Sequence, residues 1–219
     1  MIITYHGHSS FKLRGKIGTV ITDPFSSEIG FEFPNVSGDV VTISHDHEDH
    51  NQAALVSGTA RRKEPFVIDM PGEYEVGDIS IFGVQSYHDD QAGEERGSNN
   101  IFTTFLDGLR ICHLGDLGHE IRPELANEIG LVDVLLCPVG GIYTVGPKKA
   151  IKVIKALEPS LVIPMHYKTP FHDEKTFGEL STVDDFLNEY GVEVESEEKL
   201  NISPSKLPEE TEIVVLERS

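Results

Sequence analysis

The feature that most constrains this chain is a cluster of histidines and acidic residues at 44–50. Three histidines and an aspartate stand there in the pattern His-x-His-x-Asp-His, within Ser44-His45-Asp46-His47-Glu48-Asp49-His50. The apolar, β-branched run at 39–43 precedes the cluster and predicts a buried strand. Residues 51–55 follow it and predict the start of a helix with Asn51 as the N-cap. We therefore expect the cluster on a strand-to-helix loop, where a rigid scaffold can orient ligand-type side chains.

Length, composition and charge favour a folded domain and restrict its partners. The 219 residues are enough for one large domain or two small ones, and 38% hydrophobic residues can form a substantial core. The 37 acidic residues against 18 basic ones give a formal net charge of -19. Such a surface repels phosphate backbones and disfavours general nucleic-acid binding. A local anion-binding pocket stays open, because bound metal ions would themselves attract anions.

Cysteine usage and the chain's apolar runs predict a cytoplasmic location. Cys112 and Cys137 lie in apolar, strand-like runs, which indicates two buried thiols and fits a reducing compartment. The stretch 1–5 lacks the basic start and the long apolar core of a signal peptide. No apolar run approaches the length of a membrane span.

The order of predicted elements indicates an α/β (α+β) fold in a single domain, 1–219. Early strands pair as hairpins, whereas later strands alternate with helices, which suggests two sheets with helices outside. Asp107-Gly108 between two strand-like runs is a strong hairpin signal. Helices are expected at 122–130, 147–157 and 183–190, because proline at the first turn, apolar spacing and a final glycine mark their limits.

Further candidate ligands recur at the carboxyl ends of predicted strands. His88, Asp116 and His166 each follow a separate apolar strand, so they can converge with the 44–50 cluster on one edge of a sheet sandwich. Neutral imidazole and carboxylate suit Zn²⁺ or a similar borderline divalent ion, without any thiolate. Seven candidate ligands are too many for one tetrahedral ion but fit two ions: His45, His47, Asp49, His50, His88, Asp116 and His166.

These motifs together resemble the signature of the metallo-β-lactamase superfamily. The resemblance runs from Gly7 to Tyr167 and is best with a small single-domain branch similar to the ascorbate-phosphate lactonase. The motifs shared with that branch are Gly7-His8-Ser9, Asp23-Pro24-Phe25, Arg96-Gly97-Ser98-Asn99, the stretch 113–119, Pro138-Val139-Gly140-Gly141, Tyr143-Thr144 and Pro164-Met165-His166-Tyr167. The resemblance implies a four-layer αβ/βα sandwich of two mixed sheets, with helices on the outer faces and the site at one edge.

The resemblance also implies a ligand set and a nucleophile. The implied sets are His45, His47 and His88 for the first ion, Asp49, His50 and His166 for the second, and Asp116 as a bridge. A hydroxide between the ions would attack the substrate, because two cations lower the pKa of bound water toward neutrality and stabilise the resulting oxyanion. Asp49 could also orient that hydroxide.

Several residues outside the ligand set are candidates for proton transfer or substrate contact. The catalytic candidates are Asp49 and His119, the latter as a proton donor to the leaving group. The substrate-binding candidates are His8 in its Gly-His-Ser turn, Asn99 in the polar loop after His88, Tyr143 in a Gly-rich loop and Lys168 just after His166. Arg96 lies in the same polar loop as Asn99. The alternative for these side chains is an ordinary turn or solvated role.

The function favoured by this pattern is a dinuclear metal-dependent hydrolase that uses a metal-bound hydroxide on a small anionic ester or lactone. Two Zn²⁺ ions are expected, with Mn²⁺ or iron as alternatives, and the substrate class comes from resemblance alone. Other enzyme readings are a phosphodiesterase or nuclease, β-lactam hydrolysis, and a di-iron oxidoreductase. The alternative of another class is a metal-binding sensor or partner module without turnover. A small-molecule substrate and no membrane partner are expected, and a homo-oligomer is left open.

Overall fold

Two mixed β-sheets form the centre of the fold in the computed structural model, which describes residues 1–219. The fifteen strands are β1 (Ile2–Gly7), β2 (Ser10–Arg14), β3 (Thr19–Thr22), β4 (Val36–Ser37), β5 (Val40–Thr42), β6 (Val56–Ser57), β7 (Phe66–Ile68), β8 (Gly72–Val76), β9 (Ile79–Tyr87), β10 (Ser98–Leu106), β11 (Leu109–His113), β12 (Val134–Pro138), β13 (Leu161–Met165), β14 (Leu200–Asn201) and β15 (Glu212–Ile213). The four α-helices are α1 (Pro123–Ile129), α2 (Pro147–Leu157), α3 (Glu174–Phe177) and α4 (Val183–Tyr190). None of them has the length and apolar character needed to cross a membrane.

Strand order brings several strand ends to a common edge. The first sheet has the order β14-β1-β2-β3-β5-β7 and the second the order β15-β13-β12-β11-β10-β9-β8, while β4 and β6 form a small parallel pair. In the second sheet β11, β12, β13 and β15 run parallel. Because β9 and β11 both pair antiparallel with β10, β9 points the same way as the parallel strands. The loops after β9, β11 and β13 therefore leave the sheet at one edge.

Local sequence explains the most regular elements. All side chains of β12 and β13 are buried, as expected for parallel strands covered on both faces. Helix α2 begins with Pro147 and buries one apolar face, formed by Ala150, Val153, Ile154 and Leu157. Helix α4 has a capping box between Thr182 and Asp185 and ends at Gly191 in the left-handed conformation.

Three sequence predictions differ from the structure. The helix expected at 51–55 is a 3₁₀ turn, Ala53–Leu55, and Asn51 does not cap it because its side-chain oxygen accepts from Gln52 Nε2. Pro71-Gly72 predicts a turn at 69–73, but β8 already begins there and pairs with β9. The apolar run that starts at Ile101 predicts a strand from that residue, but β10 begins at Ser98, since pairing with β9 extends it over polar residues. Helix α3 and strand β14 form in segments for which the sequence predicts no helix or strand.

Candidate metal centre

Four loops that follow strands meet at one edge of the two sheets. The 44–50 loop follows β5, and the residues after β9, β11 and β13 supply His88, Asp116 and His166. The sheets are tied together there by a backbone hydrogen bond of 2.8 Å from Asn100 N–H to Ser44 O. The structure thus brings all seven sequence-predicted ligand candidates into one region.

Three of these histidines form a first cluster. The donor nitrogens of His45, His47 and His88 all lie within 4.8 Å of one another. His45 and His88 are buried, whereas His47 is exposed at the mouth of the site. Burial, reinforced by the neighbouring His50, holds the pKa of His45 well below its usual value. The neutral imidazole that results is the form that binds metal ions.

A second cluster lies directly beside the first. The donor atoms of His8, Asp49, His50 and His166 also fall within 4.8 Å of one another. His50 Nε2 is 3.5 Å from Asp49 Oδ2, and His8 Nε2 is 3.1 Å from the same oxygen. His8 was expected as a substrate-binding residue, so its place among the donor atoms is a finding that sequence spacing did not reveal.

The carboxylate of Asp116 stands between the two clusters. Its Oδ2 lies 3.3 Å from His88 Nε2 on one side, and 3.1 Å from His166 Nε2 and 3.3 Å from His50 Nε2 on the other. Burial alone would raise the pKa of Asp116, but His166 and His50 hold it well below its usual value. The charged carboxylate can therefore face both clusters at once.

The chemistry of the donor set fits divalent metal ions. His45 Nε2, His50 Nε2 and Asp116 Oδ1 are buried and have no hydrogen-bond partner within the protein. Buried polar atoms are almost always satisfied, so three unpartnered nitrogen and oxygen atoms in one place are the arrangement that a bound cation would satisfy. Imidazole nitrogen and carboxylate oxygen are the donors that Zn²⁺ and related ions take in proteins.

Comparison with known proteins decides the family. A family model described as a β-lactamase superfamily domain matches residues 2–166. A crystal structure from Thermotoga maritima, described as a Zn-dependent hydrolase of the metallo-β-lactamase superfamily, is 40% identical with a TM-score of 0.79. The match covers 98% of this chain and 97% of that chain. The chain belongs to the metallo-β-lactamase superfamily.

Curated relatives agree with this membership. A metal-dependent hydrolase of Archaeoglobus fulgidus is 29% identical over 198 residues, which cover 77% of this chain and 84% of the relative. A metal-dependent hydrolase of Thermococcus onnurineus is 29% identical over 190 residues, which cover 76% of this chain and 84% of the relative. The predictions of a metallo-β-lactamase fold and of a metal-dependent hydrolase of this superfamily are confirmed. The closer likeness to the lactonase branch stays a prediction.

Within this metallo-β-lactamase site, Asp23 supports the ligands from behind. It is fully buried and accepts hydrogen bonds from His50 Nδ1 at 2.8 Å and from Ser44 N–H at 2.8 Å. Ser44 Oγ donates to Asp23 Oδ2 and lies 2.9 Å from His45 Nδ1. A carboxylate that fixes the ring of a ligating histidine is a recurrent feature of metal sites. The sequence showed Asp23 only as part of a shared motif, without this role.

Asn99 contacts the site from its buried side, not from a loop that faces a substrate. It lies in β10 rather than in a loop and is fully buried. Its Nδ2 donates to Ser86 Oγ and Leu114 O, and its Oδ1 accepts from Asp116 N–H at 2.9 Å. Since its amide group is satisfied within the protein, Asn99 fixes the Asp116 loop instead of binding substrate.

His119 lies beside the end of β9. Its Nε2 accepts from Tyr87 N–H at 3.3 Å, so its Nδ1 donates to Glu120 O at 2.9 Å. Both ring nitrogens contact backbone groups, and the ring belongs to neither donor cluster. These bonds secure the end of β9 directly before His88, and the role of His119 as a proton donor stays a prediction.

Tyr143 and Lys168 lie near the second cluster in different ways. The Tyr143 ring is 6.1 Å from that of Phe177, which is 6.5 Å from the ring of His166. The Phe177 ring therefore contacts both Tyr143 and His166, and substrate contact by Tyr143 stays a prediction. Lys168 donates to Glu174 Oε1 at 3.0 Å and to Gly178 O at 2.7 Å, so its ammonium group is already paired.

Proposed function

We propose that this protein is a dinuclear hydrolase that cleaves a small anionic ester or lactone. The observation that carries the proposal is the position of Asp116 Oδ2 between two donor clusters, 3.3 Å from His88 Nε2 and 3.1 Å from His166 Nε2. One buried carboxylate oxygen that faces imidazole nitrogens of both clusters supports a pair of ions rather than a single one.

The proposed ligands follow the two clusters. His45, His47 and His88 would hold one ion, Asp49, His50 and His166 the other, with Asp116 shared between them. A pair of divalent ions, Zn²⁺ in this proposal, would lower the pKa of water toward neutrality and stabilise negative charge on the attacked oxygen. Asp49 is half-buried at the mouth of the site, where its carboxylate could accept a proton from attacking water.

The position of Arg96 supports the proposal that the substrate is anionic. Its exposed guanidinium stacks on the Tyr143 ring at 5.0 Å, and no carboxylate lies within ion-pair distance of it. Its backbone N–H donates to Asp89 at 2.8 Å, which ties it to the loop directly after His88. A guanidinium held against an aromatic face, with its N–H edges free, suits a carboxylate or phosphate group. Because Lys168 is already paired, Arg96 is the better candidate for anion recognition.

The overall charge favours a small molecule over a nucleic acid. A formal net charge of -19 opposes contact with an extended phosphate backbone, and the Arg96 guanidinium provides one anion contact rather than a basic track. The proposed partner is therefore a small substrate with one anionic group.

A substrate panel with metal control tests the proposal. The zinc-reconstituted protein is assayed on lactones, carboxylate esters, phosphodiesters, RNA and β-lactams, with and without a chelator. We expect chelator-sensitive turnover of lactones or esters that is fastest when the substrate carries an anionic group. Turnover of phosphodiesters or RNA alone would favour the nuclease reading. No turnover across the panel with two ions bound would favour a non-catalytic metal-binding protein.

A further inference from the structure

The second cluster contains one donor more than the first. His8, Asp49, His50 and His166 bring four donor atoms within 4.8 Å of one another, whereas His45, His47 and His88 bring three. Asp116, which faces both clusters, would add one donor to each, so the first ion would have four protein donors and the second would have five with His8 or four without it. The difference between the clusters depends entirely on His8.

The ring of His8 is placed as the rings of the other ligands are. It is fully buried, and its centroid lies 4.1 Å from that of His166 and 5.0 Å from that of His50. Its Nε2 faces Asp49 Oδ2, while its Nδ1 has no partner. In this respect His8 is like His88 and His166, whose Nδ1 atoms are also unpartnered.

The backbone around His8 is built to hold this orientation. His8 has φ 55° and His166 has φ 53°, both in the left-handed region that few non-glycine residues adopt. The two residues are joined directly, because His166 N–H donates to His8 O at 2.8 Å. Tyr5 Oη donates to the same carbonyl oxygen at 2.8 Å. Such left-handed residues persist where surrounding contacts enforce them, and they concentrate at functional sites.

We propose that His8 is a direct ligand of the ion held by the second cluster, together with Asp49, His50 and His166. This inference rests on the dinuclear function proposed above. Zinc can accept a fifth ligand, so His8 can bind beside the shared Asp116. His8 would then fix the position of this ion relative to Asp49, whose carboxylate oxygen it faces.

Metal binding by His8 variants tests the proposal without any substrate. Metal-free wild type, His8→Ala, His8→Gln and His6→Gln are titrated with Co²⁺ against a chromophoric chelator, and the cobalt absorption bands are recorded at each step. His6 is a matched control, because it is buried two residues from His8, its Nδ1 bonds Ser219 Oγ, and it belongs to no donor group. Circular dichroism of the metal-free proteins checks folding.

Replacing a direct ligand should cost more than the 10- to 100-fold loss in affinity typical of a residue behind the ligands. We therefore expect both His8 variants to weaken one binding step more than about 100-fold and to alter its cobalt bands, with the other step and the His6→Gln protein unchanged. Glutamine can still donate a hydrogen bond to Asp49 but is a poor metal ligand. Wild-type affinities in His8→Gln would therefore overturn the proposal and leave His8 as a hydrogen-bond donor to Asp49.

The same titration separates this inference from the dinuclear proposal. If wild type binds only one ion, the dinuclear proposal is refuted. The effect of His8→Gln on the affinity for that ion then still decides whether His8 is a ligand. A zinc-loaded crystal structure of wild type decides the point if the variants do not fold. We expect His8 Nε2 at the zinc–nitrogen bonding distance of about 2.0–2.1 Å, and a clearly longer separation overturns the proposal.

Discussion

Replacing Asp23 by asparagine tests whether the residues behind the ligands set metal affinity. The carboxylate accepts three hydrogen bonds, two on Oδ2 from His50 Nδ1 and Ser44 Oγ, and one on Oδ1 from Ser44 N–H. An asparagine of the same shape supplies one oxygen and one NH₂ group. If its oxygen takes the Oδ2 position, the NH₂ group faces Ser44 N–H, and that buried donor is left without a partner.

Two magnitudes follow from this arrangement. One unsatisfied buried donor costs about 1–3 kcal/mol, so the metal-free Asp23→Asn protein should be destabilised by that amount. Loss of the negative charge behind His50 should also weaken metal binding by about 10- to 100-fold. At 1.4 kcal/mol per tenfold change, this corresponds to roughly 1.4–2.8 kcal/mol of binding free energy.

Chemical denaturation of the metal-free protein and competitive zinc titration measure the two effects separately. Asp39→Asn is a matched control, because Asp39 is a buried aspartate that accepts bonds from Thr19 N–H and Thr59 Oγ1 but precedes β5, away from the ligands. It should lose stability and keep wild-type zinc affinity. A folded Asp23→Asn protein that binds both ions as tightly as wild type would refute the reasoning.

Three further variants probe other parts of the account. His88→Ala should remove most of one ion equivalent, because His88 is one of only three donors in the first cluster, and metal analysis showing two ions per chain would reject this assignment. Arg96→Glu should raise KM for anionic substrates with little change in kcat, whereas an equal effect on neutral substrates would exclude anion recognition. Gly115→Ala should lower the free energy of unfolding by about 1–3 kcal/mol, because the added Cβ would clash with Asn99 Oδ1 and Ser44 Cβ. Gly115 also has φ 55°, a backbone conformation that alanine rarely adopts. An unchanged denaturation midpoint would contradict this expectation and show that the Asp116 loop shifts to accommodate the methyl group.

Elements with local signals were predictable from the sequence. Helices α2, Pro147–Leu157, and α4, Val183–Tyr190, have the expected limits, because a proline start, apolar spacing and a final glycine act within a few residues. Strand β8 and the first residues of β10 depend on pairing with β9 instead. Their own sequences are mostly polar, so a reading of single segments does not predict them.

The same distinction explains which site residues were found. The 44–50 cluster is recognisable from the spacing of its histidines and aspartate. His88, Asp116 and His166 are recognisable because each follows an apolar strand. His8 and Asp23 join the site only through tertiary contacts, since His8 is 41 residues from Asp49 and Asp23 is 27 residues from His50. Asn99 was assigned to substrate because its segment reads as a loop, whereas strand pairing turns its amide toward Asp116.

Anomalous diffraction from a zinc-loaded crystal tests the central claim most directly, because it counts and locates the ions without assuming a substrate. The account predicts two zinc peaks, one among His45, His47 and His88 and one among Asp49, His50 and His166, with Asp116 between them. A single peak at saturating zinc, or a pair of peaks that Asp116 does not separate, would contradict it.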